Sequence, residues 1–172
     1  MQVPIRKGDK MPRPKADPFM TAAKFEELKA KLHKWKTVNR PREAAEVARL
    51  ALMGDFSENT GYQVAKGRLR GLNQRILDLE NLLARAEIIT APTLSDRVAL
   101  GHQVTIEKIG PDGRGESGRT YRILGSAETA PTSGVISHNS PLGAALLGHR
   151  VGETVRLEVN GKIAEYKIVR IA

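Results

Sequence analysis

From Tyr62 onward the apolar residues Tyr62, Ala65, Leu69, Leu72, Ile76, Leu79, Leu83 and Ala86 recur at strictly alternating intervals of three and four. A 3.5-residue repeat sets all eight on one narrow stripe of an α-helix, and such a stripe is buried only against another helix. The spacing predicts a helix from about Ser57 to Ile89, on the order of 45 Å long at ~1.5 Å per residue. A partner precedes it: Phe25, Leu28, Leu32 and Trp35 share a helix face, and Thr21 is placed to cap its start. That face is expected to continue less regularly through Val38, Ala45, Ala48 and Leu52. Pro41, which lacks an N–H and crowds the preceding turn, should kink or interrupt the helix, and Gly54 should end it. With only a short turn between them, the two segments pack most economically as an antiparallel intramolecular coiled coil.

Near Ala91-Pro92 the helical period stops, and short alternating segments follow at His102–Ile109, Arg119–Leu124, Gly134–Ser137, Thr154–Val159 and Lys162–Ile171. These read as strands. Asn160-Gly161 suits the tight turn of a hairpin, and the stretch PDGRGESG is a further turn or loop. One helix interrupts the strands, with Ser140 as cap, Pro141 in its first turn and Gly148 as its stop. The fold class is therefore α+β: a coiled-coil hairpin over 21–90, then a small α+β domain over 91–172. Residues 1–20, basic and rich in proline, read as a disordered extension.

Twenty-eight basic against 19 acidic side chains leave a net charge of +9, which favours an acidic partner such as nucleic acid or a machine that handles it. There is no cysteine, so disulfides, thiol catalysis and Cys-ligated zinc are excluded, in keeping with a cytoplasmic setting. No apolar run approaches the roughly 20 residues that span a bilayer, and no membrane partner is expected. His102, His138 and His149 lack helical metal-ligand spacing and are read as ordinary polar residues.

Between the two long helices the chain reads GDFSENTGYQ, which puts the carboxylates of Asp55 and Glu58 at the end of a rod. Carboxylate oxygens are hard ligands, and Mg²⁺ commonly takes one or two of them from protein while waters and phosphates complete its octahedron. Asp-x-x-Glu is equally a capping box, with Asp55, or Ser57 in its place, capping the second helix and Glu58 reaching back to a free N–H. On spacing alone, capping is the more economical reading.

The tip GDFSENTGYQ, the patterned hairpin around it and the later NSPLGAALLG and VGETVRLEVNGKIAEYKI resemble the bacterial transcription elongation factors GreA and GreB. The likeness runs from about Met20 to the C-terminus. It implies an FKBP-like C-terminal domain that anchors the factor at the rim of bacterial RNA polymerase while the coiled coil enters the enzyme's secondary channel. It implies that Asp55 and Glu58 help hold a Mg²⁺ in the polymerase active site, so that water cleaves the 3′ end of a backtracked transcript; the chain alone would be no enzyme and would bind no cofactor by itself. Phe56, Ser57, Asn59 and Tyr62 then shape the tip, and Ser140 and Pro141 contact the polymerase. At Gly61 this sequence departs from the family, where an acidic residue is usual; glycine there predicts a looser tip or first helical turn.

YQVAKGRLRGLNQR resembles GreB in particular, which implies RNA contact by Lys66, Arg68 and Arg70; a solvated flank of the seam is the structural alternative. Arg40, Arg42 and Arg75 add to the basic surroundings. With Tyr121 and Tyr166 its only aromatics, the C-terminal half is not expected to be a prolyl isomerase. The leading expectation is a monomeric accessory factor for transcript cleavage. Its alternatives are a regulator that occupies the channel without stimulating cleavage and a basic coiled coil that binds nucleic acid on its own.

Overall fold

The computed structural model describes residues 17–53, 59–90, 96–110, 117–159 and 161–172. A long helical hairpin is followed by a five-stranded sheet domain, as the α+β expectation requires. Strand β1 (Phe19–Met20) leads into helix α1 (Ala22–Lys34), a π-helical turn (Trp35–Asn39) and helix α2 (Arg40–Ala51). Helix α3 (Thr60–Ala84) runs back along them to strand β2 (Glu87–Ile88). Among the described residues no helix is long and apolar enough to cross a membrane.

The eight seam positions of α3 and its extension to Ala86 are all buried or half-buried, and Phe25, Leu28, Leu32 and Trp35 meet them as the spacing predicts. The continuation of the first face is different. Val38, Ala45, Ala48 and Leu52 are exposed, and the side facing α3 carries Asn39, Glu43, Val47 and Leu50 instead. The π turn accounts for the change: Arg40 donates to Trp35 O five residues back, which inserts one residue into the helical register and rotates everything after it. Pro41 lies just beyond, where it cannot donate to the carbonyl of Thr37 and its ring crowds that group. The helix thus absorbs its proline by widening one turn rather than by breaking.

Two boundaries also move. Helix α3 stops at Ala84 rather than Ile89, because Glu87–Ile88 pairs in parallel with Phe19–Met20, with Glu87 N–H on Pro18 O and Ile89 N–H on Met20 O, both at 2.8 Å. The extension expected over 1–20 is shorter than that for the same reason: Asp17–Met20 belongs to the fold, and Met20 is completely buried under Leu28 and Leu79. Residues 1–16 lie outside the described part of the chain.

In the second domain, strands β3 (Gln103–Ile109), β4 (Arg119–Leu124), β5 (Val135–Ser137), β6 (Thr154–Val159) and β7 (Lys162–Ile171) lie in the order β5-β4-β3-β7-β6. Only β4 and β5 pair in parallel. Helix α4 (Pro141–Leu146) packs across the sheet over a core of Val98, Val104, Ile106, Ile123, Leu146 and Ile168. Gly148, at φ 80, takes the left-handed conformation that closes α4. Gly161 has the positive φ expected of the β6–β7 turn, while Asn160 and residues 111–116 of the PDGRGESG loop lie outside the described residues.

The two domains meet through a helix cap. Thr21 caps α1 by accepting from Lys24 N–H at 3.2 Å, and its own N–H and hydroxyl donate to the two carboxylate oxygens of Glu128 at 2.7 and 2.6 Å. In a capping box the third helical residue would supply that carboxylate. Here it is Lys24, which has no acceptor, and Glu128 of the sheet domain takes its place. Asp17 adds bonds from Ser126 N–H at 2.9 Å and Asn139 Nδ2 at 3.4 Å, and the Phe19 ring meets His138 edge-on at 5.5 Å. A Cβ at Gly125 would fall 1.7 Å from Phe19 O, so this approach admits only glycine. Glu128→Ala is expected to cost about 2 kcal/mol, as for hydrogen bonds to a charged group, and to lower Tm by ~4–8 °C in a chain of this size, with Glu128→Gln recovering part of the loss. Thermal melts that superpose on the parent chain would refute the cap's contribution.

Candidate functional site at the hairpin tip

Asp55, Phe56, Ser57 and Glu58 lie outside the described residues, and the site is framed by the helix ends that bracket them. On the incoming side α2 ends at Ala51, leaving Leu52 and Met53 exposed. On the outgoing side the N-cap of α3 is Asn59, whose Oδ1 accepts from Tyr62 N–H at 3.0 Å. The same amide donates through Nδ2 to Leu50 O at 3.3 Å. One side chain therefore satisfies a free N–H of α3 and a terminal carbonyl of α2, fixing the spacing of the two ends across the loop.

This corrects the capping alternative. Neither Asp55 nor Ser57 is the cap, because the helix begins three residues later than the seam suggested and Asn59 holds the capping position. The signal was present in the sequence, since asparagine ranks among the strongest N-caps, but Asp-x-x-Glu offered an equally regular pattern. Gly61 sits inside the regular first turn of α3. A Cβ there would meet Asn59 Oδ1 at 3.3 Å and Leu50 Cδ2 at 3.8 Å, so its small size keeps the space beside the cap open.

The basic residues divide between two flanks of the seam. At 100° per residue, Tyr62, Lys66 and Arg70 form one row along α3, while Arg68 and Arg75 lie on the opposite side. Lys66 Nζ stands 5.7 Å from the centre of the Tyr62 ring, a cation–π contact. Neither Lys66 nor Arg70 forms an ion pair among the described residues. Arg68 faces Glu46 of α2, whose carboxylate is held below the usual range chiefly by its hydrogen bond to Arg49, with the charge of Arg68 contributing less. The geometry thus brings Lys66 together with Arg70 and Tyr62, and sets Arg68 apart.

In the sheet domain, Ser140 caps α4, accepting from Gly143 N–H at 3.1 Å while its hydroxyl donates to Ser137 O at 2.6 Å. Its hydroxyl is committed internally, and the neighbouring exposed surface is that of Pro141. His102 is buried and accepts from Ala99 N–H at 2.9 Å, and His149 is bonded to Glu153 at 2.6 Å, which lowers the pKa of that carboxylate. Among the described residues no group of three or more His, Asp or Glu is placed to hold a metal ion.

Residues 18–88 match the family described as transcription elongation factor, N-terminal, and residues 92–172 the family described as transcription elongation factor, GreA/GreB, C-term. The chain belongs to the GreA/GreB family. It is 35% identical over 154 residues to the transcription elongation factor GreA of Syntrophotalea carbinolica, covering 89% of this chain and 95% of that one. The GreA of Bacillus subtilis strain 168 is 38% identical over 153 residues, with 89% and 95% covered. Among solved structures, GreA factor homolog 1 (Gfh1) of Thermus thermophilus is 28% identical, covering 89% of this chain and 97% of that one, with a TM-score of 0.40.

The Asn59 bridge makes a separable prediction for this Gre-family tip. Asn59→Ala should cost about 1 kcal/mol or more through loss of the cap, whereas Asn59→Asp keeps an acceptor for Tyr62 N–H and loses only the donor to Leu50 O. Denaturant unfolding followed by far-UV circular dichroism should rank them parent, Asp, Ala in falling stability. Equal stability of the Ala variant and the parent would show that Asn59 does not hold the tip.

Proposed function

We propose that this chain acts on bacterial RNA polymerase as a transcript-cleavage factor, entering the secondary channel with its hairpin and presenting Asp55 and Glu58 at the polymerase active site. The observation that carries the reading is the Asn59 cap: its Oδ1 accepts from Tyr62 N–H, so the capping position of α3 is held by a residue other than Asp55 or Glu58. The donor set fits a hard divalent cation. Two carboxylates are what Mg²⁺ commonly accepts from protein, and with no larger acidic cluster among the described residues, the remaining ligands would come from the polymerase, water and RNA.

Asp55 and Glu58 would hold the Mg²⁺, which when bound lowers the pKa of water and offsets charge on a scissile phosphate. The chain's own work is placement. Asn59 sets the distance between the helix ends that carry the two acids, and Tyr62 supports Lys66 on the flank. Lys66 and Arg70, exposed and without a carboxylate partner among the described residues, would draw the backbone of the extruded RNA 3′ end along one side of the rod. Arg68, close to Glu46, would contribute less. The sheet domain would anchor the factor on the polymerase surface near Pro141.

The test is cleavage of a 3′-labelled transcript in a stalled, backtracked elongation complex with Mg²⁺ at saturating factor, with binding to polymerase measured in parallel. The parent chain should accelerate cleavage, and Asp55→Ala and Glu58→Ala should each remove about 100-fold or more of that acceleration, as for loss of a group acting on developing charge, while binding persists. Removing Mg²⁺ should abolish the stimulation. Binding without acceleration by the parent chain would instead make it an occupant of the channel.

A further inference from the structure

A cavity lies on the sheet domain. Where the core of that domain ends, the inner face of the sheet continues into a pocket of about 320 Å³ lined by Ile106, Lys108, Ser117, Arg119, Tyr121 and Tyr166. The strand register makes this group. Ile106 of β3 stands opposite Arg119 of β4, Val104 opposite Tyr121, and Lys108 opposite Tyr166 of β7, so the side chains alternate onto one face with the core residues Val104, Ile106 and Ile168. The two tyrosines that are too few for a proline-binding enzyme are thus brought to the same cavity.

Its chemistry is specific. Ile106 is 2% exposed and gives the pocket an apolar floor, and Tyr121 and Tyr166 are half-buried against the core, which holds their rings. Among the described residues Ser117 and two cations complete the lining; Lys108 has an interaction of its own, which leaves Arg119 as the cation turned to a ligand. The Arg119 guanidinium and both phenol hydroxyls have no hydrogen-bond or ion-pair partner among the described residues. Fixed aromatic walls beside an uncommitted guanidinium suit a ligand with a flat π-face and an adjacent anion. The volume is at the small end of ligand pockets, which limits the occupant to about one nucleotide.

We propose that this pocket binds a single phosphorylated nucleoside, its base against Tyr121 and Tyr166 and its phosphate on Arg119. The nucleotide can come from solution or be one unit of single-stranded RNA, since both present the same base and phosphate. The site is on a different domain from the tip and does not depend on the cleavage reading.

The experiment is a ¹H–¹⁵N NMR titration of the full chain with AMP, UMP, adenosine and inorganic phosphate, each alone. AMP or UMP should give saturable shifts confined to β3, β4 and β7, with adenosine and phosphate binding about tenfold or more weakly. Arg119→Gln, at an exposed position, should weaken nucleotide binding by about tenfold or more with the rest of the spectrum unchanged, and Tyr166→Leu should reduce the nucleotide to the affinity of phosphate. A 5′-phosphorylated RNA tetranucleotide that binds more tightly than AMP and UMP identifies RNA as the source, and one that binds no better identifies the free nucleotide. The proposal is overturned if neither mononucleotide gives saturable shifts at millimolar concentration, if phosphate alone binds equally well, or if both substitutions leave nucleotide binding intact.

Discussion

The carboxylate of Glu128 bonded to the backbone and hydroxyl of Thr21 is the contact on which the arrangement of the molecule rests. A helix start leaves four N–H groups without intrahelical partners and a partial positive charge, and both are relieved by a nearby carboxylate. In this chain that carboxylate belongs to the other domain. Local helix stability and domain docking are therefore one interaction, and the short β1–β2 pairing with Met20 sealed beneath it extends the same junction into the hairpin core.

The hairpin was largely legible because a coiled-coil seam is periodic and local: each apolar position in α3 announces itself by its distance from the last. What escaped was a change of register. Val38, Ala45, Ala48 and Leu52 fit the extrapolated period, and nothing in their identity marks the one-residue insertion at Trp35–Asn39. Pro41 gave warning of a disturbance without specifying its form, since a kink, a break and a π turn all relieve the same clash. The result places polar Asn39 and Glu43 toward α3, and Asn39 Oδ1 and Glu43 Oε2 are buried without a hydrogen-bond partner among the described residues, a local cost that an apolar seam would avoid.

At the tip, the residue types were legible and their division of labour was not. Asp55, Ser57 and Asn59 are all competent N-caps, and only the first helical hydrogen bond distinguishes them. Glu128 and Gly125 were not foreseeable as junction residues, because their partners lie more than a hundred residues away and no periodicity connects them. Tyr121 and Tyr166 present the same difficulty across a sheet: two scattered aromatics become neighbours only once β4 and β7 flank the same central strand.

The hairpin is also a lever. With α3 spanning 25 residues, its tip lies about 37 Å from the junction, so each degree of tilt there displaces the far end by roughly 0.6 Å. A divalent ion of the Mg²⁺ class holds its oxygen ligands at ~2.0–2.1 Å with little tolerance. A junction free to rock by even a few degrees would sweep the tip through a distance comparable to an entire metal–ligand bond. The bidentate clasp by Glu128 and the bare glycine at 125 thus govern aim: in the proposed role, the stiffness of the handle would limit how accurately the point is delivered to the polymerase.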